Sequence, residues 1–406
     1  MKKVFKELDS IIYILLLCYT FVDCLTGLFK MYGLPSVSLP YKVMLICLMV
    51  VSLKSYSGGV IYFYYFAIIL SSLCLYLFNA YTSIFDSLAM QLRIIMAPIV
   101  FIYLKKIYLY NIIKIITLLK VNTMVLVFNL LLGGFGFGDS TYKGQLNLGV
   151  KGFFYDGNAL AVTLFVIYVI WLNLLPQKKI KVSITFFVLA VLIATKVSVL
   201  SVLFYFCCFC FLDVPMKKRF SVLGVLFIGV FLLSFFLFQM PIFQYHYERI
   251  KWLLTIFDGN YLSALLSGRD IDLAKHYSFF QRQFSLTVVL FGYGYLNFMK
   301  IIELDAFDTL FCYGVLFFIP TFLFYSHCLF INRRNLKIVM FNVVYFLISI
   351  TSGHVWYNSQ AALFFVIINL IFLNGGGELI EKNFDAFKHV SIKFKTYLRC
   401  FCKTNL

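Results

Sequence analysis

The chain has 406 residues, of which 62% are apolar, 20% aromatic and only 13% charged, with a mean hydropathy of +0.93. These values exclude a soluble enzyme, and 7 Pro and 23 Gly over that length exclude a low-complexity polymer. The formal charge of +18, from 35 Lys+Arg against 17 Asp+Glu, fits a nucleic acid, an anionic substrate or membrane topology until the charges are placed.

Apolar runs bounded by charge, Pro or Gly predict an all-α polytopic membrane protein of twelve spans, at about 10–29, 39–53, 60–78, 84–104, 112–132, 158–175, 182–195, 197–212, 220–238, 306–330, 338–353 and 359–373. The N-terminus, MKKVFKELDS, leads into the first run with no small-residue cleavage site, so it reads as a span rather than a removable signal. The pair 182–195 and 197–212 is short, and by length alone it fits one tilted helix equally. Charge decides. With twelve spans and a cytoplasmic N-terminus, 22 of the 35 basic residues and six acids lie inside, a net of +16. A single span would instead turn Lys217 to Arg219, Arg333 to Lys337 and the basic tail 374–406 outward. A hairpin with both termini in the cytoplasm is therefore expected, and the charge becomes topological, which removes the nucleic-acid reading. The 11 Cys lie in apolar runs or the tail and read as small core hydrophobes.

Two outer connections are long, the Gly-rich segment 133–157 and the loop 239–305, and function is expected to concentrate there. Arg93 sits mid-span, where a charge costs about 2.5–3.5 kcal/mol, so it needs a partner such as Asp86 seven residues earlier, or a bound anion. Lys196, at the tip of the hairpin in ATKVSVLS, is either solvated or a point charge for a diphosphate. In YHYERIKWLLTIF, Ile250, Leu253, Leu254 and Phe257 share a face suited to a leaflet surface, placing Arg249 against lipid or a substrate phosphate.

The segment LSGRDIDLAKHYSFFQRQF pairs Ser267 with Asp270 at capping-box spacing, and Ile271, Ala274, Tyr277, Phe280 and Phe284 follow at helical spacing. Arg269 then falls in the first helical turn, beside free backbone N–H donors, where a phosphate would bind. The following FGYGYLNF lacks the Thr-Val that precedes a potassium-channel filter and is not read as one. In IELDAFDTL, Glu303, Asp305 and Asp308 gather at the start of a span, as a general base or as acids complementing the helix macrodipole. The acid-x-acid pairs Glu303/Asp305 and Asp270/Asp272 are too short a pattern to assign a metal. His354, in ITSGHVWYNSQ, is either a proton shuttle or incidental, and Trp356 and Tyr357 either stack sugars or form an interfacial belt.

In order and placement, GFFYDGNALA, TKVSVL, SGRD, GYG with ELDAFDTLFCYG, and SGHVW over residues 85–375 resemble the bacterial O-antigen polymerases, membrane glycosyltransferases related to the O-antigen ligases. The resemblance implies a cytoplasmic-membrane enzyme that joins undecaprenyl-diphosphate-linked repeat units at the outer face. It implies Arg269, with Arg93 and Lys196, on the donor diphosphate, and His354 or Asp305 and Asp308 on the acceptor hydroxyl proton. It also implies donor and acceptor glycolipids, membrane lipid and a chain-length regulator as partners, with no cofactor. Ligase relatives commonly carry a His near the end of the large loop, where this chain is acidic. The ligase is thus the nearest alternative, and a lipid-linked oligosaccharide flippase is the alternative of another class.

Overall fold

The structure, a computed structural model, describes residues 2–373 apart from 54–58, 78–81, 109–110, 143–148, 216–243, 245–246, 249–250, 252–253, 267, 297, 352 and 354. Among the described residues, nine helices precede the large loop: α1 (Lys2–Leu17), α2 (Tyr19–Met31), α3 (Ser38–Leu53), α4 (Gly59–Leu77), α5 (Ile84–Tyr108), α6 (Ile112–Gly134), α7 (Gly157–Leu174), α8 (Lys179–Ile193) and α9 (Lys196–Asp213). Short helices α10 (Tyr261–Leu266), α11 (Arg269–Arg282) and α12 (Leu286–Phe291) build the loop, and α13 (Asp305–Ile331), α14 (Leu336–Thr351) and α15 (Ser359–Ile371) follow. The strands among the described residues are β1 (Asp139–Ser140) and β2 (Val150–Gly152), one antiparallel pair in the Gly-rich connection.

Five of these helices are long and apolar enough to cross a membrane, or six if the bent pair α1 and α2 is one span. The chain is thus a helical, membrane-embedded protein. The expected run 220–238, the tail 374–406, Arg249 and His354 lie outside the described residues.

The hairpin expected near residue 195 is present. Ala194 adopts left-handed backbone (φ 61°), Thr195 caps α9 by accepting from the Ser198 N–H (3.1 Å), and the Ser198 hydroxyl donates back to the Ala190 carbonyl (2.9 Å). The first run departs from expectation, because α1 and α2 meet at 51° across Cys18 instead of forming one straight helix. Asn122 of α6 compensates the break, donating to the Leu16 carbonyl (3.0 Å) and accepting from the Thr20 N–H (2.9 Å). Of the cysteines, Cys24, Cys312 and Cys328 are buried as expected, whereas Cys18, Cys47 and Cys74 lie on the bundle's exposed surface.

Helices α7 and α15 are apolar all round, and that pattern puts them at the centre. Every residue of 160–170 and of 361–371 is buried, and α15 packs on both α5 and α7. Asn358 caps α15 and also donates to the Ala159 carbonyl (2.7 Å), tying the two together.

The kink in α13 explains GYG. Gly314 adopts φ 75°, ψ 177°, which interrupts the helical ladder and frees carbonyls one turn earlier. The N–H groups of Tyr293 and Gly294 donate to Phe311 and Cys312 (3.2 and 2.8 Å), so the loop docks on the break. A Cβ at Gly314 would sit 2.4 Å from the Leu290 backbone. Gly314→Ala is expected to lower stability by about 2 kcal/mol or more, read as a lower thermal midpoint of the purified protein.

Candidate functional site

Two cavities lie beside the Arg269–Glu303 pair, one lined by each partner. The first, of about 630 Å³, runs between α9 and α14. Its polar end carries Lys196, the first residue of α9, with Arg269, Tyr142 and Thr351. Its length is walled by Val197, Leu200, Phe204, Val344, Leu347 and Ile348. Leu200, Phe204 and Leu347 are more than half exposed, so the groove opens sideways on apolar chains. Among the described residues no carboxylate lines it.

The second is a polar cleft of about 210 Å³ among α2, α3, α5 and the turn entering α13. Arg93 lies in its wall, as do Glu303, Asp305 and Asp308. Arg93 therefore does not share a cavity with Arg269 and Lys196, although the sequence reading grouped the three. Its side chain lies 3.5 Å from Met90 Sδ, while Asp86 accepts from the Ser83 hydroxyl (2.6 Å), and no ion pair joins Asp86 to Arg93 among the described residues.

Arg269 connects the cavities. It opens α11 behind Gly268, whose left-handed backbone (φ 81°) provides no side-chain cap. The expected capping box falls on Ser267, which lies outside the described residues, and Asp270 accepts from the Ser263 hydroxyl. Arg269 pairs with Glu303 (2.9 Å), which also takes Lys300 (2.9 Å), and the Arg269 side chain is 15% exposed with a buried Nε that has no partner among the described residues. A forked cation with an unspent donor at the end of an apolar groove is suited to a phosphate.

The inward face of α11 also differs from expectation. Leu273, His276, Phe279 and Phe280 turn toward the core, whereas Ile271, Tyr277 and Phe284 are exposed. His276 decides the register. Its Nε2–H donates to the Lys300 carbonyl (2.8 Å), which leaves Nδ1 to accept from the Tyr293 hydroxyl (2.5 Å). Burial pushes the imidazole below its usual range, outweighing the Lys300 carbonyl and Asp272. The unfolded chain therefore takes up the proton first, so the contribution of the neutral ring is complete above about pH 6.5 and declines as pH falls below it. The thermal midpoint is expected to drop on that acid limb in the parent protein and to flatten in His276→Gln.

The acidic turn is built from both sides. Asp308 accepts from the N–H groups of Ile302 (2.9 Å) and Leu304 (3.0 Å), folding the turn back on the helix start. Asp305 accepts from Val355 (2.7 Å) and Trp356 (2.9 Å), the backbone just past Gly353. Glu303 sits at φ 64°, a strained value for a residue with a side chain, and a Cβ at Gly353 would lie 2.0 Å from its carbonyl. Both aspartates are buried, so Glu303, at 19% side-chain exposure, is the most accessible of the three acids. Trp356 is not a sugar platform: it is buried and stacked on Tyr325 (5.0 Å, 6°), whereas Tyr357 lines the cleft. The acid-x-acid pairs gather no metal-binding group among the described residues.

The cleft also contains a buried ion pair that the sequence reading missed. Lys42 of α3 reaches Asp23 of α2 (2.6 Å) and the Ser359 hydroxyl (2.9 Å), while Ser38 donates to the same Asp23 oxygen (2.6 Å). Lys30 lies over the Tyr155 ring at the rim, 3.4 Å from its centroid. The available signal was an Asp and a Lys inside otherwise apolar runs, which marks functional or tightly paired positions. No family model matches the chain, and no curated protein matches it.

Proposed function

We propose that this protein polymerises undecaprenyl-diphosphate-linked oligosaccharide repeat units into O-antigen or a related surface polysaccharide. The chain would cross the cytoplasmic membrane twelve times with both termini inside, and react at the outer face. The observation that carries the reading is the groove between α9 and α14, where Lys196 and Arg269, from separate parts of the chain, sit at one end of a lateral apolar channel. A prenyl tail fits the channel and a diphosphate fits the cations.

In the proposed reaction the acceptor hydroxyl oxygen attacks the donor's anomeric carbon from the face opposite the diphosphate. The new glycosidic bond forms as the bond to the diphosphate breaks, inverting the centre. Arg269 and Lys196 take up the charge developing on the leaving diphosphate, a task that needs cations but no covalent intermediate. The hydroxyl proton passes to a carboxylate of the acidic turn, Glu303 by accessibility with Asp305 and Asp308 behind it, or to His354. Arg249 and Arg93 act on neighbouring parts of the glycolipids.

Deletion of the gene is the direct test. Single capped repeat units with no long chains support the polymerase. Unlinked polymer with no surface glycan would transfer the assignment to the ligase, and glycolipid accumulating on the inner leaflet would transfer it to the flippase.

A further inference from the structure

The two cavities differ in charge. Among the described residues, the groove presents two cations and no carboxylate, whereas the cleft presents five carboxyl groups against three cations, Lys30, Lys42 and Arg93. The cleft also holds unspent acceptors. Asp23 is 4% exposed, and while its Oδ1 holds Lys42 and Ser38, its buried Oδ2 has no partner among the described residues. Gln360 Oε1, from the first turn of α15, is likewise buried and without a partner in the same lining. Buried acceptors left empty are costly, so an occupant must bring donors. A phosphate brings only oxygens and negative charge, and an acyl chain brings neither donors nor acceptors.

We infer that this cleft is a subsite for a sugar ring that is neutral or carries an amine, and that it rejects acidic sugars. Ring hydroxyls donate to Asp23 Oδ2 and Gln360 Oε1, and ring oxygens accept from Arg93 and Lys30 at the rim. A carboxylated sugar keeps hydroxyl donors for those acceptors but adds a negative charge to a site whose carboxyl groups already outnumber its cations five to three. Resting on the proposed function, the bound ring is the terminal residue of the acceptor, held beside the acidic turn, while the donor's diphosphate occupies the neighbouring groove. The Arg269–Glu303 pair stands between them, and the polymerase's discrimination among acceptors resides in the Asp23–Lys42 pair.

Saturation-transfer NMR on the full chain in nanodiscs tests this without turnover, using methyl glucoside, glucosamine and glucuronic acid as probes. Saturation is expected on the first two and not on glucuronic acid, with Gln360→Ala and Asp23→Asn each weakening binding about tenfold, as expected for one lost hydrogen bond. Gln360→Ala carries the test alone if Asp23→Asn leaves Lys42 too poorly compensated for the protein to reach the membrane. Glucuronic acid binding as well as methyl glucoside, no saturation on any probe, or unchanged binding by Gln360→Ala would each overturn the inference. Discrimination among the probes by a protein that makes no polymer would remove the polymerase reading and leave the subsite. Polymerisation without discrimination would do the reverse.

Discussion

Arg269→Ala is expected to reduce surface glycan to single repeat units while the protein remains in the membrane at its normal level. The guanidinium lies at the polar end of the apolar groove with its Nε unspent, and it is paired with Glu303 at 2.9 Å. Losing one preorganised charge-stabilising donor costs about 10²- to 10³-fold in turnover, enough to collapse a ladder of products. Folding should survive, because Glu303 retains Lys300 at 2.9 Å and is not left as a lone buried charge. Arg269→Lys restores charge without the fork and should recover short ladders only. Gel profiles of extracted glycan, beside immunoblots of the membrane fraction, separate these outcomes. A normal ladder from Arg269→Ala would remove the phosphate assignment.

Asp308→Ala is expected to act on the fold before the chemistry. Its carboxylate satisfies two buried backbone N–H groups, those of Ile302 and Leu304, and is itself 1% exposed. Leaving a buried N–H without its acceptor costs about 1–3 kcal/mol, so losing both should cost about 2–6 kcal/mol. The measurement is the thermal midpoint of the purified protein together with its level in the membrane. Asp308→Asn keeps one acceptor and should lose roughly half as much. A general base with no structural duty would behave differently, losing activity in Asp308→Ala with the midpoint unchanged.

Much of this architecture was legible because membrane helices announce themselves by length and apolarity. The hairpin at Lys196 followed from charge bookkeeping, whereas only the fold shows that Lys196 and Arg269 share one groove without Arg93. What escaped the sequence depended on three-dimensional company. Spacing grouped Ile271, Tyr277 and Phe284 with Phe280 on one face of α11, but the inward face centres on His276 and its two hydrogen bonds, and of that group only Phe280 joins it. Seven residues separate Arg93 from Asp86, a spacing that invites pairing, yet Ser83 satisfies Asp86 locally. Asp23 and Lys42 drew no notice singly, because their meaning lies in the pair they form across two helices. Gly314 could not be told from any other glycine in a span until the loop was seen docked against it.

Helix α15 and the turn before it have a consequence for timing. Lys42 is held by Ser359, Tyr19 donates to the Ser359 carbonyl, and Asp305 receives the N–H groups of Val355 and Trp356. Segments made early and midway through synthesis therefore wait for backbone that leaves the ribosome much later. A nascent chain stalled before residue 355 would carry Arg93, Lys196 and Arg269 already made, but with the acidic turn unfastened and the cleft open on one side. Competence for the proposed reaction would then arrive in one step, when insertion finishes, and partly made copies in the membrane would be inert toward the glycolipids around them.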